Sequence, residues 1–354
     1  MEIPIDPFDM RNAYIGEKFN PDHPNISRIY TNTNLELGCD HWNYRAWNPE
    51  FGDISRYSLC EQVGSGRYSE VFRALQDDEK EVAIKILKPV NPDRVRRELR
   101  ILSLVKDGPS ILNLLDIVID GKYGIQAMVT DYHESMEWHD LFYNMKLDDI
   151  RWYIYRVLKA LEFTHKKGIM HRDIKPVNIL CKDPKKDLIL ADWGLAEFYH
   201  PLRMYSSCVG TRYYKSPELL LNYEYYDFSI DIWAVGVVLL EALSSEIHIF
   251  DGELHHLEQI DTIAKVVGGD KIVQWADKYR KSISKNTRAR LLSIKGRPFS
   301  DLIRGARKSF RDPQALDLLS KLLEVDHKLR ISAEEALDHP FFDSIRDSIT
   351  DAEN

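Results

Sequence analysis

His171-Arg-Asp173-Ile-Lys175-Pro-Val-Asn178 and, a short way on, Asp192-Trp-Gly194 decide how this chain reads. The two stretches supply a carboxylate, an ammonium, an amide and a second carboxylate close together in sequence. Transfer of a phosphoryl group needs that combination: an acid to orient a hydroxyl, a cation for the moving charge, and oxygen ligands for a divalent metal. Four polar residues can equally form a solvated loop. The order of their upstream partners decides between the two readings.

Those partners begin with Val63-Gly64-Ser65-Gly66-Arg67-Tyr68-Ser69-Glu-Val71, which reads as strand, tight turn, strand. Glycines without a Cβ let backbone N–H groups approach phosphate oxygens, and Val71 can cover a flat base. Alone, such a turn marks an ordinary hairpin. It is no Walker A loop, because no Gly-Lys-Ser/Thr follows at the required spacing. Val82-Ala83-Ile-Lys85 then reads as an alternating strand that brings a lysine into line with the turn. In the helical pattern that follows, Glu98 lies on the side carrying Val95, Leu99 and Leu102. A carboxylate buried there needs a cation, and Lys85 is the obvious one.

Taken in order, these motifs resemble those of the eukaryotic protein kinases over residues 57–342. Finer features are similar to the casein kinase 2 catalytic-subunit family: Ser69 closing the glycine turn, Trp193, the run Gly194-Leu-Ala-Glu-Phe-Tyr199-His-Pro201, and Arg28-Ile-Tyr30 with Trp42-Asn-Tyr44. The resemblance implies an α+β, bilobal fold. Residues 57–130 would form a small antiparallel sheet lobe with one main helix, 131–134 the linker, and 135–342 a larger helical lobe. Residues 1–56 would pack on that body, with 1–27 mobile for their Pro, Asn and Asp content, and 343–354 would be a short tail.

The resemblance also implies roles. ATP would lie between the lobes against Val63, Gly64, Ser65, Gly66, Arg67, Tyr68, Ser69, Val71, Ala83, Lys85, Thr130 and Asp131. Asn178 and Asp192 would hold Mg²⁺, with Mn²⁺ as an alternative. Asp173 would position the acceptor hydroxyl, Lys175 would neutralise the γ-phosphate, and Glu98 would orient Lys85. Asp231 would accept hydrogen bonds from the catalytic-loop backbone, and Glu218 would pair with Arg330. Residues 192–218 would form the activation segment; activity without its phosphorylation follows by the same resemblance, as do acidic Ser/Thr sites read by Arg94, Arg96, Arg97, Thr211, Arg212 and Lys215. A dimeric regulatory subunit would dock on the small-lobe sheet around Tyr57, Leu59, Phe72, Ile84, Ile86 and Val129.

Bulk properties bound these expectations. The chain has 354 residues, 44% hydrophobic and 29% charged, as a globular protein with a sizeable core would. The longest apolar run, residues 232–240, is too short to span a bilayer. The start of the chain lacks the basic flank and apolar core of a signal peptide. Four dispersed cysteines have no metal-ligand spacing and fit reduced thiols in cytoplasm and nucleus. A net charge of −8 argues against nucleic-acid binding.

Three departures from the family pattern matter. Asn91, Pro92 and Asp93 dilute the basic run at the start of the helix that carries Glu98, and such a run reads equally well as a solvated face. Cys208 occupies the place of an arginine. Ala83, Thr130 and Ala191 make a roomier nucleotide pocket, for which a stronger preference for ATP over GTP is expected. Two other readings remain open at this point: a proline-directed kinase of the cyclin-dependent and MAP kinase group, which the stretch 255–312 would suit, and a nucleotide-binding pseudokinase.

Overall fold

A computed structural model describes residues 23–348 apart from 67–68, 89–90 and 252–255. The alternating segments form one antiparallel sheet in the order β1-β2-β3-β5-β4. Its strands are β1 (Tyr57–Ser65), β2 (Ser69–Gln76), β3 (Lys80–Leu87), β4 (Leu114–Ile119) and β5 (Gln126–Asp131). The period of two along β3 splits its side chains between faces. Val82 and Ile84 join Ala74, Val118 and Val129 in one apolar cluster. Lys85 lies on the opposite face, toward the helix Pro92–Val105.

That helix starts at Asn91, whose side chain accepts the Asp93 N–H, with Pro92 in the first turn, where no helical donor is lost. It buries Leu99, Ile101, Leu102 and Val105 in a cluster shared with Leu114, Ile117 and Met128 of the sheet. Each fully buried leucine contributes about 2 kcal/mol. Arg97 and Glu98, on the same helix, are also buried. Ionic groups in that position require partners, which fixes the rotation of the helix against the rest of the chain.

The second lobe is helical. Ile150, Tyr153, Ile154, Val157, Leu158 and Leu161 lie on the buried stripe of helix Leu147–Lys166. The helix stops at Gly168, whose φ of +71° favours glycine and whose missing Cβ leaves room for the Asn34 side chain. Helix Ser229–Ser244 is buried along its whole length. Its Asp231 accepts from the His171 and Arg172 N–H groups at 2.8 and 2.7 Å and bonds His165 Nε2 at 3.0 Å. Glu218 and Arg330 form the expected pair, 2.7 Å apart with both side chains inaccessible to solvent. Arg330 also donates to the Ser229 carbonyl and lies over the Trp233 ring.

Residues ahead of the sheet run as a strap across both lobes. Arg28 pairs with Glu335, and the Tyr30 hydroxyl donates to Glu334. Asn34 donates to the carbonyls of Gly168 and Tyr199 at 2.8 Å each. Gly52 bridges Val118 at the edge of the sheet. The expected mobility of residues 1–27 does not hold at their end: Ile26 is 4% exposed and Ser27 1%, with the Ser27 N–H on the Tyr199 hydroxyl. Residues 1–22 lie outside the described residues. Among the described residues no helix is long and apolar enough to cross a membrane.

The apolar residues expected to carry a regulatory subunit are largely used within the sheet's own cluster. Ile84 and Val129 are buried, Tyr57 and Ile86 pack against them, and Leu59 stands out at 53% exposure. Alternation along a strand produces such residues whether or not a partner covers them.

Candidate active site

The site forms where β3, the helix Pro92–Val105 and two loops of the large lobe meet. Lys85 Nζ donates to Glu98 at 2.7 Å and to Asp192 at 2.8 Å. Burial opposes the ammonium, but the Glu98 and Asp192 carboxylates outweigh it and raise the Lys85 pKa. Burial likewise opposes the Asp192 carboxylate, and Lys85 overrides it, holding the group at about 2. Both groups are therefore charged at neutral pH. Asp192 sits in the left-handed region at φ 59°, which turns its side chain away from the path of the strand before it. Gly194 completes the turn, and a Cβ there would stand 3.2 Å from the Glu98 carboxylate.

The catalytic loop is built around Asp173. One oxygen accepts from the Thr211 N–H and hydroxyl, both at 2.8 Å. The other accepts from Lys175 at 2.8 Å, and Lys175 also donates to the Thr211 hydroxyl at 2.7 Å. Asn178 uses its amide N–H on the Asp173 carbonyl at 2.8 Å, which leaves its oxygen for another ligand. His171 holds the loop from beneath: its Nε2 bonds the Ala191 carbonyl and its ring meets Trp193 edge-on. Burial keeps this imidazole neutral by lowering its pKa. Trp193 itself is 1% exposed, so it fills core volume and does not face the cleft.

This donor set fits a hard divalent cation. The Asp192 carboxylate is 48% exposed, and the Asn178 oxygen is not used by the loop, so two protein oxygens remain to be joined by phosphate oxygens and water. A metal bound there would neutralise charge on a nucleotide's phosphates. The protein's own groups do the rest. Lys85 is held as a fixed cation, the Asp173 carboxylate is placed where it can accept a proton, and Lys175 stands beside it as a second cation.

Other expected residues fall around this centre. Gly64 and Ser65 pair with Val71 and Glu70 across the glycine turn, and the Gly66 N–H closes on Ser69. Val63, which precedes the turn, is exposed at 47%. Ala83 pairs with Thr130 in the sheet, and Thr130 is 4% exposed, with its hydroxyl toward the Ala83 carbonyl. Asp131 ties its carboxylate to Lys80 and Asn113, which fixes the strand end ahead of the linker. Arg67 and Tyr68 lie outside the described residues.

The basic run of the helix Pro92–Val105 differs from expectation. Arg97, assigned to substrate, is 7% exposed and reaches Glu197 at 2.7 Å, so it has no free face for a peptide. Arg94 donates to the Gly194 carbonyl and Arg96 to the Arg45 carbonyl. Arg100 bonds the carbonyls of Asp40 and His41 and lies over the Trp47 ring. The run fastens the strap and the Asp192 loop to the small lobe. Of the activation-segment cations, Lys215 is 8% exposed with Nζ 3.5 Å from the Ser207 carbonyl, and Arg212 lies 3.9 Å from Asp251.

Glu197, expected only as a contact for Tyr30, Trp42, Tyr44 and Trp47 of the strap, and Arg172, given no role from sequence, prove central. Glu197 is wholly buried among Arg97, Arg172 and Arg203 at 2.7, 3.9 and 3.7 Å. Burial opposes its charge, but the three guanidinium groups hold its pKa at about 2. Arg172 also donates to the Leu195 carbonyl and the Tyr226 hydroxyl. The readable signal was an arginine directly before Asp173 and an acid shortly after Gly194. The aromatic residues of the strap flank the same place: Tyr44 stacks on Phe198, and Trp42 meets His200 edge-on.

The protein kinase domain family model matches residues 57–342, a span that begins with β1 and holds the glycine turn, Lys85, the catalytic loop and the whole activation segment. A domain of this kind uses ATP with a divalent metal to move a phosphoryl group. The chain belongs to the protein kinase family.

Proposed function

We propose that the chain is a constitutively active Ser/Thr protein kinase of the casein kinase 2 type, using Mg-ATP on acidic sites. The observation that carries this reading is Glu197 among its three arginines. The position directly after the Asp192 loop, beside the arginine of the catalytic loop, already has an anion. No phosphate has to be added to bring Arg97 and Arg172 together. Lys85–Glu98 is closed, and Asp173, Lys175 and Thr211 are linked, so the charged groups stand in working order.

Ser/Thr selection is supported by Lys175, two residues after Asp173, together with its bond to Thr211. The strap adds to the casein kinase 2 likeness by linking both lobes to the activation segment. A pseudokinase would not require the buried, doubly supported Asp173 carboxylate. The test is phosphorylation of a peptide array by the unphosphorylated chain with Mg-ATP. Incorporation at Ser or Thr beside acidic residues is expected. Incorporation at Ser/Thr-Pro sites, or only after activation-segment phosphorylation, would overturn the reading.

A further inference from the structure

The cations that a kinase for acidic sites would place near its small-lobe helix bond the strap, the Gly194 carbonyl and Glu197 here, with Arg96 the exposed one among them. A different part of the chain carries more exposed positive charge. Residues 278–297 contain eight lysines and arginines and no aspartate or glutamate, within a chain of net charge −8. Three of the eight meet carboxylates from elsewhere: Lys278 with Asp326, Arg288 with Asp277, and Arg290 with Asp261. Among the described residues no carboxylate pairs with Arg280, Lys281, Lys285, Lys295 or Arg297, and all of these but the half-buried Lys281 are exposed.

The location matters more than the count. Lys281 Nζ donates to the Asn222 carbonyl at 2.5 Å, and Asn222 Oδ1 accepts from the Ser207 hydroxyl at 3.0 Å. Ser207 stands next to Cys208, and its carbonyl faces Lys215. The basic turn therefore abuts the activation segment on the side away from the small lobe, three hydrogen bonds from Lys215. The turn is also held open as a rigid corner. Lys281 N–H bonds the Ala276 carbonyl across the end of helix Gly269–Lys278. Arg280 takes the left-handed conformation there at φ 52°, where glycine is usual and an L residue is disfavoured by about 1 kcal/mol.

We propose that the basic turn at residues 278–285 is the docking surface for an acidic segment of the protein substrate, lying several residues from the acceptor. This rests on the kinase reading above and relocates its acid specificity. The turn at Arg280, Lys281 and Lys285 would supply what Arg97 and Cys208 do not. A flexible anionic chain leaving the acceptor position would pass Lys215 and Ser207 and meet these cations beside Tyr223, whose hydroxyl holds Pro24 and Asn25 at the start of the strap. Charge complementarity of this kind acts on encounter and dissociation, not on the chemical step.

The experiment uses the full chain and two acceptor peptides, one with acidic residues only beside the acceptor and one with a further acidic stretch. The variant R280Q/K281Q/K285Q removes the charge, and K285E alone covers the case in which loss of the Lys281–Asn222 bond disturbs folding. With exposed contacts worth up to a few-fold each, KM for the long peptide should rise about tenfold in the triple variant. KM for the short peptide and kcat for both should stay unchanged. Direct binding of the long peptide, read by fluorescence anisotropy without nucleotide, should weaken in parallel and fall steeply with salt. That binding arm separates failure of this proposal from failure of the kinase reading, since it needs no turnover. Equal losses on both peptides, or no loss on either, would overturn the proposal. So would a variant that loses only binding to anionic vesicles or nucleic acid.

Discussion

Replacing Arg97 by alanine tests whether Glu197 is the built-in anion that orders the activation segment. The pair is 2.7 Å apart, with Glu197 inaccessible and Arg97 nearly so. Removing one member of a buried pair typically costs about 3–5 kcal/mol, because the other charge is left behind. Arg172 and Arg203 stay at 3.9 and 3.7 Å, so the low end, about 3 kcal/mol, is expected. The depressed pKa leads to a similar figure. Glu197 falls from 4.5 to about 2 on folding, which at 1.4 kcal/mol per pH unit is about 3 kcal/mol. Since the folded pKa is the lower one, this contribution is fully present above about 4.5 and is lost as pH falls toward 2.

Urea unfolding at pH 7 of the wild type, R97A, E197Q and the double variant closes the cycle. R97A should lose about 3 kcal/mol. The double variant should lose less than the sum of the single variants by about 2 kcal/mol, because the Arg97–Glu197 interaction is lost only once, although Arg172 and Arg203 still lose their carboxylate. In rate assays R97A should turn over as much as about 100-fold more slowly, the same free energy expressed as loosening of the segment around Glu197–Phe198. Strict additivity, or an R97A within about 0.5 kcal/mol of wild type, would refute the role given to Glu197.

Lys85→Met should lower phosphoryl transfer on the order of 10²–10³-fold or more, because its contacts act on charge in the transition state, and should lower the melting temperature of a still-folded chain, because it strands the buried Glu98 carboxylate; near-normal turnover in a radiolabel assay would remove Lys85 from the site. Deleting residues 1–50 should lower both activity and melting temperature, since Ile26, Ser27 and Asn34 leave buried positions against the large lobe; an unchanged rate would show the strap to be passive. Glu241, buried with the Tyr214 hydroxyl and the His248 N–H as its partners, has its pKa raised by burial to about 7. Its folded value lies above the unfolded one, so stability declines as pH rises from about 4.5 to 7, and E241Q should melt higher than wild type at pH 8 but not at pH 4.5. Cys208→Arg should raise the preference for an acid directly after the acceptor, read as the kcat/KM ratio of paired peptides.

Much of the fold was legible because its signals are local. The period of two in Val82-Ala-Ile-Lys85 places Lys85 on the face opposite Val82 and Ile84, and the stripe from Ile150 to Leu161 places helix Leu147–Lys166 against the core. Glu98 could be paired with Lys85 on cost alone, because an apolar helix face cannot hold a lone carboxylate. The same cost applies one residue earlier, at Arg97, but leaves no sign in the sequence. An arginine among arginines looks solvated, and nothing nearby in sequence reveals that its neighbour is an acid a hundred residues on. The strap was underread for a related reason. Its segments bury single residues such as Ile26 and Asn34, which create no periodicity, and its bonds are mostly to backbone carbonyls, which no side-chain pattern encodes.

The burial of Arg97 and the anchoring of the strap have a common consequence for specificity. A basic helix at the cleft can read acidic substrates only while its guanidinium groups are unspent, and each hydrogen bond to the strap reduces what a peptide could gain there. In this chain Arg94, Arg96, Arg97 and Arg100 all hold parts of the protein itself, so rigidity of the active form and recognition at that helix compete for the same groups. The proposed docking surface would resolve the competition: on the other side of the activation segment, Arg280, Lys281 and Lys285 have no carboxylate partner among the described residues. The proposed permanent activity and acidic specificity then become separable properties. Variants that weaken the strap should change kcat without changing the ranking of substrates, and variants of the basic turn should change the ranking without changing kcat. If strap variants reordered the substrates instead, the helix arginines would have to be shared between the two tasks.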